Sequence, residues 1–146
     1  MNRVLFLCSG NYYRSRFAEV LFNHLARQAN AAWIADSRGL RVQKDGIVNV
    51  GPISRHALEA LAARGLDVPA ERWPRQVTAE DFPTAQIVIA LKEAEHRPML
   101  EQLFPHWAQK IRYWHVHDLD AALPDEALQE LEALIRELLV EVTTEH

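Results

Sequence analysis

The chain has one cysteine in 146 residues, so no disulfide can form within it, and a solitary thiol leads us to expect a reducing, cytoplasmic setting. It has no apolar run long enough to cross a bilayer and no N-terminal secretory pattern, so neither a membrane-embedded nor an exported protein is expected. Positive charge is not in excess. Sixteen Lys and Arg face 20 Asp and Glu, a formal net charge of −4, which provides no field to attract nucleic acid or an anionic membrane. Repeats, low-complexity tracts and linkers are absent as well, and the length suits one domain over residues 1–146 with a core of its own.

What is present is concentrated in residues 3–15. Val4, Leu5, Phe6 and Leu7 form a continuous apolar run that stops at a Gly10-Asn11 turn signal, the pattern of a parallel strand covered on both faces. Beyond the loop, Phe17, Ala18, Leu21, Phe22 and Leu25 recur at helical spacing. A strand, short loop and helix in this order aim backbone N–H groups and the positive end of the helix dipole at one point, where an anion is stabilised.

Cys8 opens this loop and Arg14 closes it, with five residues between. A thiol at a helix N-terminus beside an arginine ionises readily, and the thiolate is the nucleophilic form. Arg14 offers a planar fork matched to two oxygens of a tetrahedral oxyanion. Gly10 and Asn11 are residue types that accept positive φ, as a loop with inward N–H groups requires. Ser15 is placed to donate its hydroxyl to the Cys8 sulfur. A lone cysteine at a strand end is ordinarily inert packing, and with 13 arginines in the chain the spacing alone carries little. The conjunction of strand, Gly-Asn, Arg-Ser and helix favours chemistry.

Cys8-Ser9-Gly10-Asn11-Tyr12-Tyr13-Arg14-Ser15 resembles the phosphate-binding loop of the low-molecular-weight protein tyrosine phosphatases, whose chain opens on the same strand, loop and helix. Tyr12 and Tyr13 stand where that family usually has an aliphatic residue and a second cysteine, and Arg16 where it has proline. The chain length suits the family, so the resemblance extends to the whole molecule. It implies a three-layer α/β/α sandwich around a four-stranded parallel sheet of order 2-1-3-4, of the phosphotyrosine phosphatase I-like type, which the α/β pattern also supports. It further implies a phosphate pocket formed by Ser9, Gly10, Asn11, Tyr12, Tyr13 and Ser15 around Cys8 and Arg14.

Elsewhere, residues 32–37 read as a second strand ended by Gly39, and 40–52 as an exposed loop. By resemblance that loop walls the cleft, making Leu40, Val42 and Ile47 candidates for substrate contact. Inward packing of the same residues is the other reading. Ser54 is expected to cap a helix through Arg64, with Ile53 and Leu58 as a staple, Gly65 as its stop, and Leu58, Leu61 and Ala62 toward the sheet. Asp67 and Val68 suggest a brief strand, and Thr78 the cap of a helix with an acidic first turn. Arg72 aligns where many members of the family have a histidine bracing the loop asparagine, which leaves the support of Asn11 unassigned.

Residues 86–91 form the clearest later strand. Lys92 follows where the family often has an aspartate, and reads either as added positive potential or as a solvated surface lysine. A helix is expected from about Arg97 to Leu103, with Pro98 in its first turn, then a last strand over 111–116. His115 and His117 share a strand face and invite a zinc reading, but a structural site wants four ligands, and no metal or other cofactor is expected. The final helix, 124–142, carries an apolar stripe of Leu128, Leu131, Leu134, Ile135, Leu138 and Val142, read as core packing, with a dimer seam the lesser reading and a monomer or weak dimer expected.

Asp118 and Asp120 follow the last strand, at the sheet edge where the Cys8 loop also sits. Expelling an alkoxide or phenoxide requires a positioned acid. The family places an Asp-Pro-aromatic motif at this point, and here Asp118-Leu119-Asp120-Ala121 keeps the aspartate alone. Asp118 is the first choice for the general acid and Asp120 the reserve. The expected activity is phosphomonoester hydrolysis through a cysteinyl-phosphate, by resemblance on phosphorylated protein or a small aryl phosphate. Tyr12 or Tyr13 would supply the stacking surface that the missing aromatic cannot. Arsenate reductases share this loop but relay oxidation through further cysteines, and sugar-transport phosphocarriers do not rely on a closing arginine. The remaining alternative is a catalytically weak or inactive phosphate-binding module.

Overall fold

The computed structural model describes residues 1–42, 52–68, 72–116 and 124–144. Strand β1 (Asn2–Cys8) runs into helix α1 (Arg14–Gln28), followed by β2 (Trp33–Gly39) and α2 (Arg55–Ala63). A 3-10 helix (Ala79–Thr84), β3 (Ile87–Ala90), α3 (Glu93–Leu103), the short α4 (Pro105–Ala108), β4 (Arg112–Tyr113) and α5 (Pro124–Thr144) complete the order. The four strands pair in parallel in the order β2-β1-β3-β4.

The pleat explains why the β1 run is continuously apolar. Val4, Phe6 and Cys8 face a core shared with Phe17, Leu21 and Phe22 of α1, Leu61 of α2 and Leu131, Ile135 and Leu138 of α5. Leu5 and Leu7 face the opposite core, with Phe82, Val88, Leu100 and Ala108. With helices on both faces, each side chain from Val4 to Cys8 is buried, and alternation vanishes from that part of the sequence. Five residues of the α5 stripe, Leu128, Leu131, Ile135, Leu138 and Val142, are buried in the first core, so that face is used by packing within the chain.

Helix α2 starts as expected, the Ser54 hydroxyl accepting the His56 N–H at 3.2 Å. It stops in a Schellman turn at Gly65 (φ 73°), where the Leu66 N–H reaches the Leu61 carbonyl and the Gly65 N–H that of Ala62. Its buried residues are Ala57 and Leu61, whereas Leu58 and Ala62 are exposed, so the face is rotated from the expected one. Asp67 and Val68 form no strand. Gln76 instead bridges Gly39 beyond β2, supplying the backbone partner at that edge.

Helix α3 begins at Glu93, four residues before the expected start, which puts Pro98 in its interior. β4 is only two residues long because His115 turns to make an antiparallel bridge with Lys92. Among the described residues no helix is long and apolar enough to cross a membrane.

Candidate active site

The segment joining β1 to α1 is fastened to its surroundings by its carbonyls. Those of Cys8, Ser9 and Tyr12 accept the N–H groups of Leu40 (2.9 Å), Arg41 (2.8 Å) and Ser54 (2.9 Å). These three carbonyl oxygens are thereby engaged with the scaffold. Helix α1 opens on Tyr13 with no side-chain cap and no acidic residue in its first turn, so no side-chain oxygen competes there for the dipole's positive end.

Gly39 permits the close approach of β2 to this loop. A Cβ there would lie 2.9 Å from the Ser9 carbonyl oxygen and 3.0 Å from the Asn11 nitrogen, both backbone atoms. In the sequence Gly39 marks only a strand end; its role as a spacer becomes visible once β2 is paired beside β1.

Asn11 takes the left-handed conformation (φ 50°), whereas among the described glycines only Gly65 has positive φ, so Gly10 is not the residue that turns the loop. Asn11 is fully buried and uses all four of its hydrogen-bonding positions. Its oxygen accepts from Arg72 Nη1 at 2.7 Å and from the Arg75 N–H at 2.9 Å. Its amide nitrogen donates to the hydroxyls of Ser15 and Ser37, each at 2.9 Å. Arg72 is therefore the brace that the aligned histidine position had left unassigned. It also donates to the Ser37 carbonyl at 2.6 Å and lies 3.4 Å from Glu19 and 3.3 Å from Asp36. Burial pushes the Glu19 carboxyl above its ordinary range, against the pull of the Ser37 hydroxyl and of Arg72.

This network sets the polarity of the loop. Arg72 and a backbone N–H can only donate, which fixes the Asn11 oxygen toward them and its NH2 toward Ser15. Ser15 Oγ accepts there, so its hydrogen is available to Cys8 Sγ, 3.0 Å away. Cys8 itself is 3% exposed, at the floor of the loop.

Ser9 lies in the loop, and Arg14 and Ser15 open helix α1 directly after it. Arg14 Nη2 is 3.0 Å from Glu95 Oε2, and the Ser9 hydroxyl donates to the same oxygen. Glu95 and the fully buried His96 went unnoticed in the sequence because an α3 starting at Arg97 leaves both in a connecting loop. Arg16 is also buried, donating from Nη1 to the Pro52 carbonyl at 2.7 Å, and burial, then the nearby Arg72 charge, lowers its pKa to about 10.

Not every expected contact residue lies at the mouth. Tyr13 is 6% exposed, belongs to the first core and packs edge-on to the exposed His56, and burial pushes its phenol up to about 12. Tyr12, the other residue expected to offer a stacking surface, is half-buried. Leu40 is 2% exposed in the second core, so it packs inward rather than lining a wall. Val42 lies against Gly39, and Ile47 is outside the described residues. Lys92 is half-buried at the start of α3. Asp118, Asp120 and His117 lie outside the described residues, and among those described no group of three or more His, Cys, Asp or Glu is placed to hold a metal.

A cysteine and an arginine thus flank one loop at the carboxyl edge of a parallel sheet, the arrangement of a candidate site of the phosphate-loop class. A model of the family described as low molecular weight phosphotyrosine protein phosphatase matches residues 3–146. The chain belongs to that family.

The pig (Sus scrofa) low molecular weight phosphotyrosine protein phosphatase is 33% identical over 98 residues, covering 66% of this chain and 58% of that protein. The match thus spans under two thirds of that relative's length. Among solved structures, the low molecular weight protein tyrosine phosphatase from T. tengcongensis aligns with a TM-score of 0.80 at 28% identity, over 97% of this chain and 99% of that one. YwlE arginine phosphatase from Geobacillus stearothermophilus aligns with a TM-score of 0.77 at 25% identity, over 99% and 94%.

Proposed function

We propose that this chain is a cysteine-dependent phosphomonoester hydrolase of the protein tyrosine phosphatase type. The observation that carries the reading is the Arg72–Asn11–Ser15–Cys8 relay, which directs a hydroxyl hydrogen at the Cys8 sulfur. A hydrogen bond of that polarity stabilises a thiolate, and it serves no purpose for an inert thiol.

In the first step the Cys8 thiolate attacks phosphorus, and the bond from phosphorus to the leaving oxygen breaks as the S–P bond forms. Arg14 and the loop N–H groups hold the equatorial oxygens, while Asp118 gives its proton to the departing alkoxide or phenoxide. In the second step Asp118, now a carboxylate, takes a proton from water, whose oxygen attacks phosphorus and releases the sulfur as thiolate. Ser15 stabilises that sulfur both as nucleophile and as leaving group. Ser9, Gly10, Asn11 and Tyr12 shape the pocket, with Tyr12 as the aromatic surface for a phenyl ring. No metal or cofactor enters this scheme, and the substrate is a phosphorylated protein or a small aryl phosphate.

The test is hydrolysis of p-nitrophenyl phosphate at about pH 5–7, where a carboxylic acid and a thiolate can coexist. Turnover is expected in the natural chain, lost in Cys8→Ser and steeply reduced in Asp118→Asn. A crippled Asp120→Asn beside an active Asp118→Asn would move the acid to Asp120. Vanadate binding without turnover would make the chain an anion-binding module instead. Phosphoarginine, assayed in parallel, distinguishes an aryl ester preference from the activity named for the YwlE neighbour.

A further inference from the structure

Helix α3 leaves β3 beside β1, so its first turn lies against the Cys8 loop. Glu95, the third residue of that helix, places Oε2 where three groups converge. Arg14 Nη2 is 3.0 Å away, the Ser9 hydroxyl donates to it, and His96 Nε2 lies 2.9 Å from it.

His96 is itself constrained. It is completely buried, and its Nδ1 accepts the Lys92 backbone N–H at 3.0 Å. With Nδ1 occupied as an acceptor, the neutral ring carries its proton on Nε2, the nitrogen 2.9 Å from Glu95 Oε2. The contact with the His96 ring first, then, against the cost of burial, the Ser9 hydroxyl and the Arg14 charge, hold the Glu95 carboxyl well below its usual range. Glu95 thus faces Arg14 as a carboxylate at neutral pH.

We propose that Glu95 is the positioning residue of the phosphate clamp, fixing the guanidinium plane of Arg14 with His96 as its buried support. The inference rests on the reading of the Cys8 loop as a phosphate site. Arginine reaches its ligand through a flexible stem, and its fork is useful only when its plane matches the oxyanion. Glu95 is on a rigid helix and engages one edge of that fork, so the orientation is set before a phosphate arrives. The same carboxylate repels a dianion, so orientation is obtained at some expense of resting affinity.

These two effects make the variants diverge. Glu95→Gln keeps an oxygen acceptor for Arg14 and removes the charge. It should retain kcat for p-nitrophenyl phosphate within about threefold and bind vanadate severalfold more tightly. Glu95→Ala releases the fork and should lower kcat by roughly ten- to a hundredfold, with a smaller change in KM. Glu95→Asp, one methylene short, should resemble Ala rather than Gln.

A second readout is independent of turnover: the ratio of Cys8 alkylation rates by iodoacetate and iodoacetamide. The anionic reagent gains from an aimed Arg14 and the neutral one does not, so the ratio should fall in Glu95→Ala and rise in Glu95→Gln. A chain that shows these ratio shifts without turnover would defeat the phosphatase reading and leave the positioning role standing. Unchanged kcat and an unchanged ratio in a folded Glu95→Ala would overturn it, and so would a higher kcat/KM, which would make Glu95 an obstruction. Should Glu95→Ala fail to fold, loss of kcat in Glu95→Gln equal to that in Glu95→Asp would also overturn it.

Discussion

Replacing Ser15 by alanine tests the polarity of the loop at one atom. The Asn11 amide is oriented by two obligate donors, Arg72 Nη1 at 2.7 Å and the Arg75 N–H at 2.9 Å, so Ser15 Oγ is an acceptor on that side and a donor toward Cys8 Sγ at 3.0 Å. A hydrogen bond to a charged group is worth about 1.5–3 kcal/mol, and its loss disfavours the thiolate by one to two powers of ten at roughly 1.4 kcal/mol each. The sulfur left behind is intrinsically more nucleophilic, with a Brønsted coefficient of about 0.4–0.5, which returns nearly half of that loss. The net expectation is roughly a four- to fifteenfold slower alkylation by iodoacetamide on the acid limb of the rate profile, where the rate still rises with pH.

Stability should change much less. The Asn11 amide keeps Ser37 as an acceptor at 2.9 Å, so the fold loses about 1 kcal/mol, measured as a urea midpoint. Since Cys8 is the chain's one thiol, mass spectrometry of the alkylated protein needs no correction for other sites. A folded Ser15→Ala chain alkylated as fast as the natural one throughout the acid limb would refute the argument, because Ser15 would then not be donating to the sulfur.

Other perturbations follow from the same geometry. Gly39→Ala places a methyl carbon 2.9 Å from the Ser9 carbonyl and 3.0 Å from the Asn11 nitrogen, so it should cost about 1–3 kcal/mol in urea denaturation and abolish the rise in Tm produced by added phosphate. In α2, Leu61→Ala should cost about 2–5 kcal/mol because Leu61 is fully buried. Leu58→Ala, at a residue 37% exposed, should stay below about 1 kcal/mol, and the two urea midpoints check the rotation of that helix. Burial pushes the Asp36 carboxyl up, but the Ser37 N–H and Arg38 outweigh it and hold the folded value below the ordinary one. A depressed acid contributes stability above the unfolded pKa of about 3.9 and loses it as pH falls through the folded value. The urea midpoints of the natural chain and Asp36→Asn should therefore differ most near neutrality and converge in acid.

The central elements were legible where periodicity and burial coincide. Val4 to Leu7 read as a doubly covered strand and Phe17, Leu21 and Leu25 as one buried helix face, and the two cores bury them in that way. The start of α3 was not legible. Lys92-Glu93-Ala94-Glu95 has neither a capping side chain nor an apolar residue at helical spacing, so the turn that carries Glu95 looks like solvent-exposed loop. Arg72 posed a different difficulty. Its position was noted, but its role depends on acceptors from Asn11, Ser37 and its neighbour Trp73, which only the folded chain assembles. β4 was overestimated because Trp114 and Val116 are apolar for packing and bridging, not for ladder pairing beyond Tyr113.

The saturation of Asn11 has a thermodynamic corollary. A loop whose awkward residue is already held by four partners pays its ordering entropy during folding, leaving little to pay when an anion docks. Association should then proceed without a slow isomerisation, and the whole binding free energy should appear as resistance to unfolding, growing with the logarithm of ligand concentration.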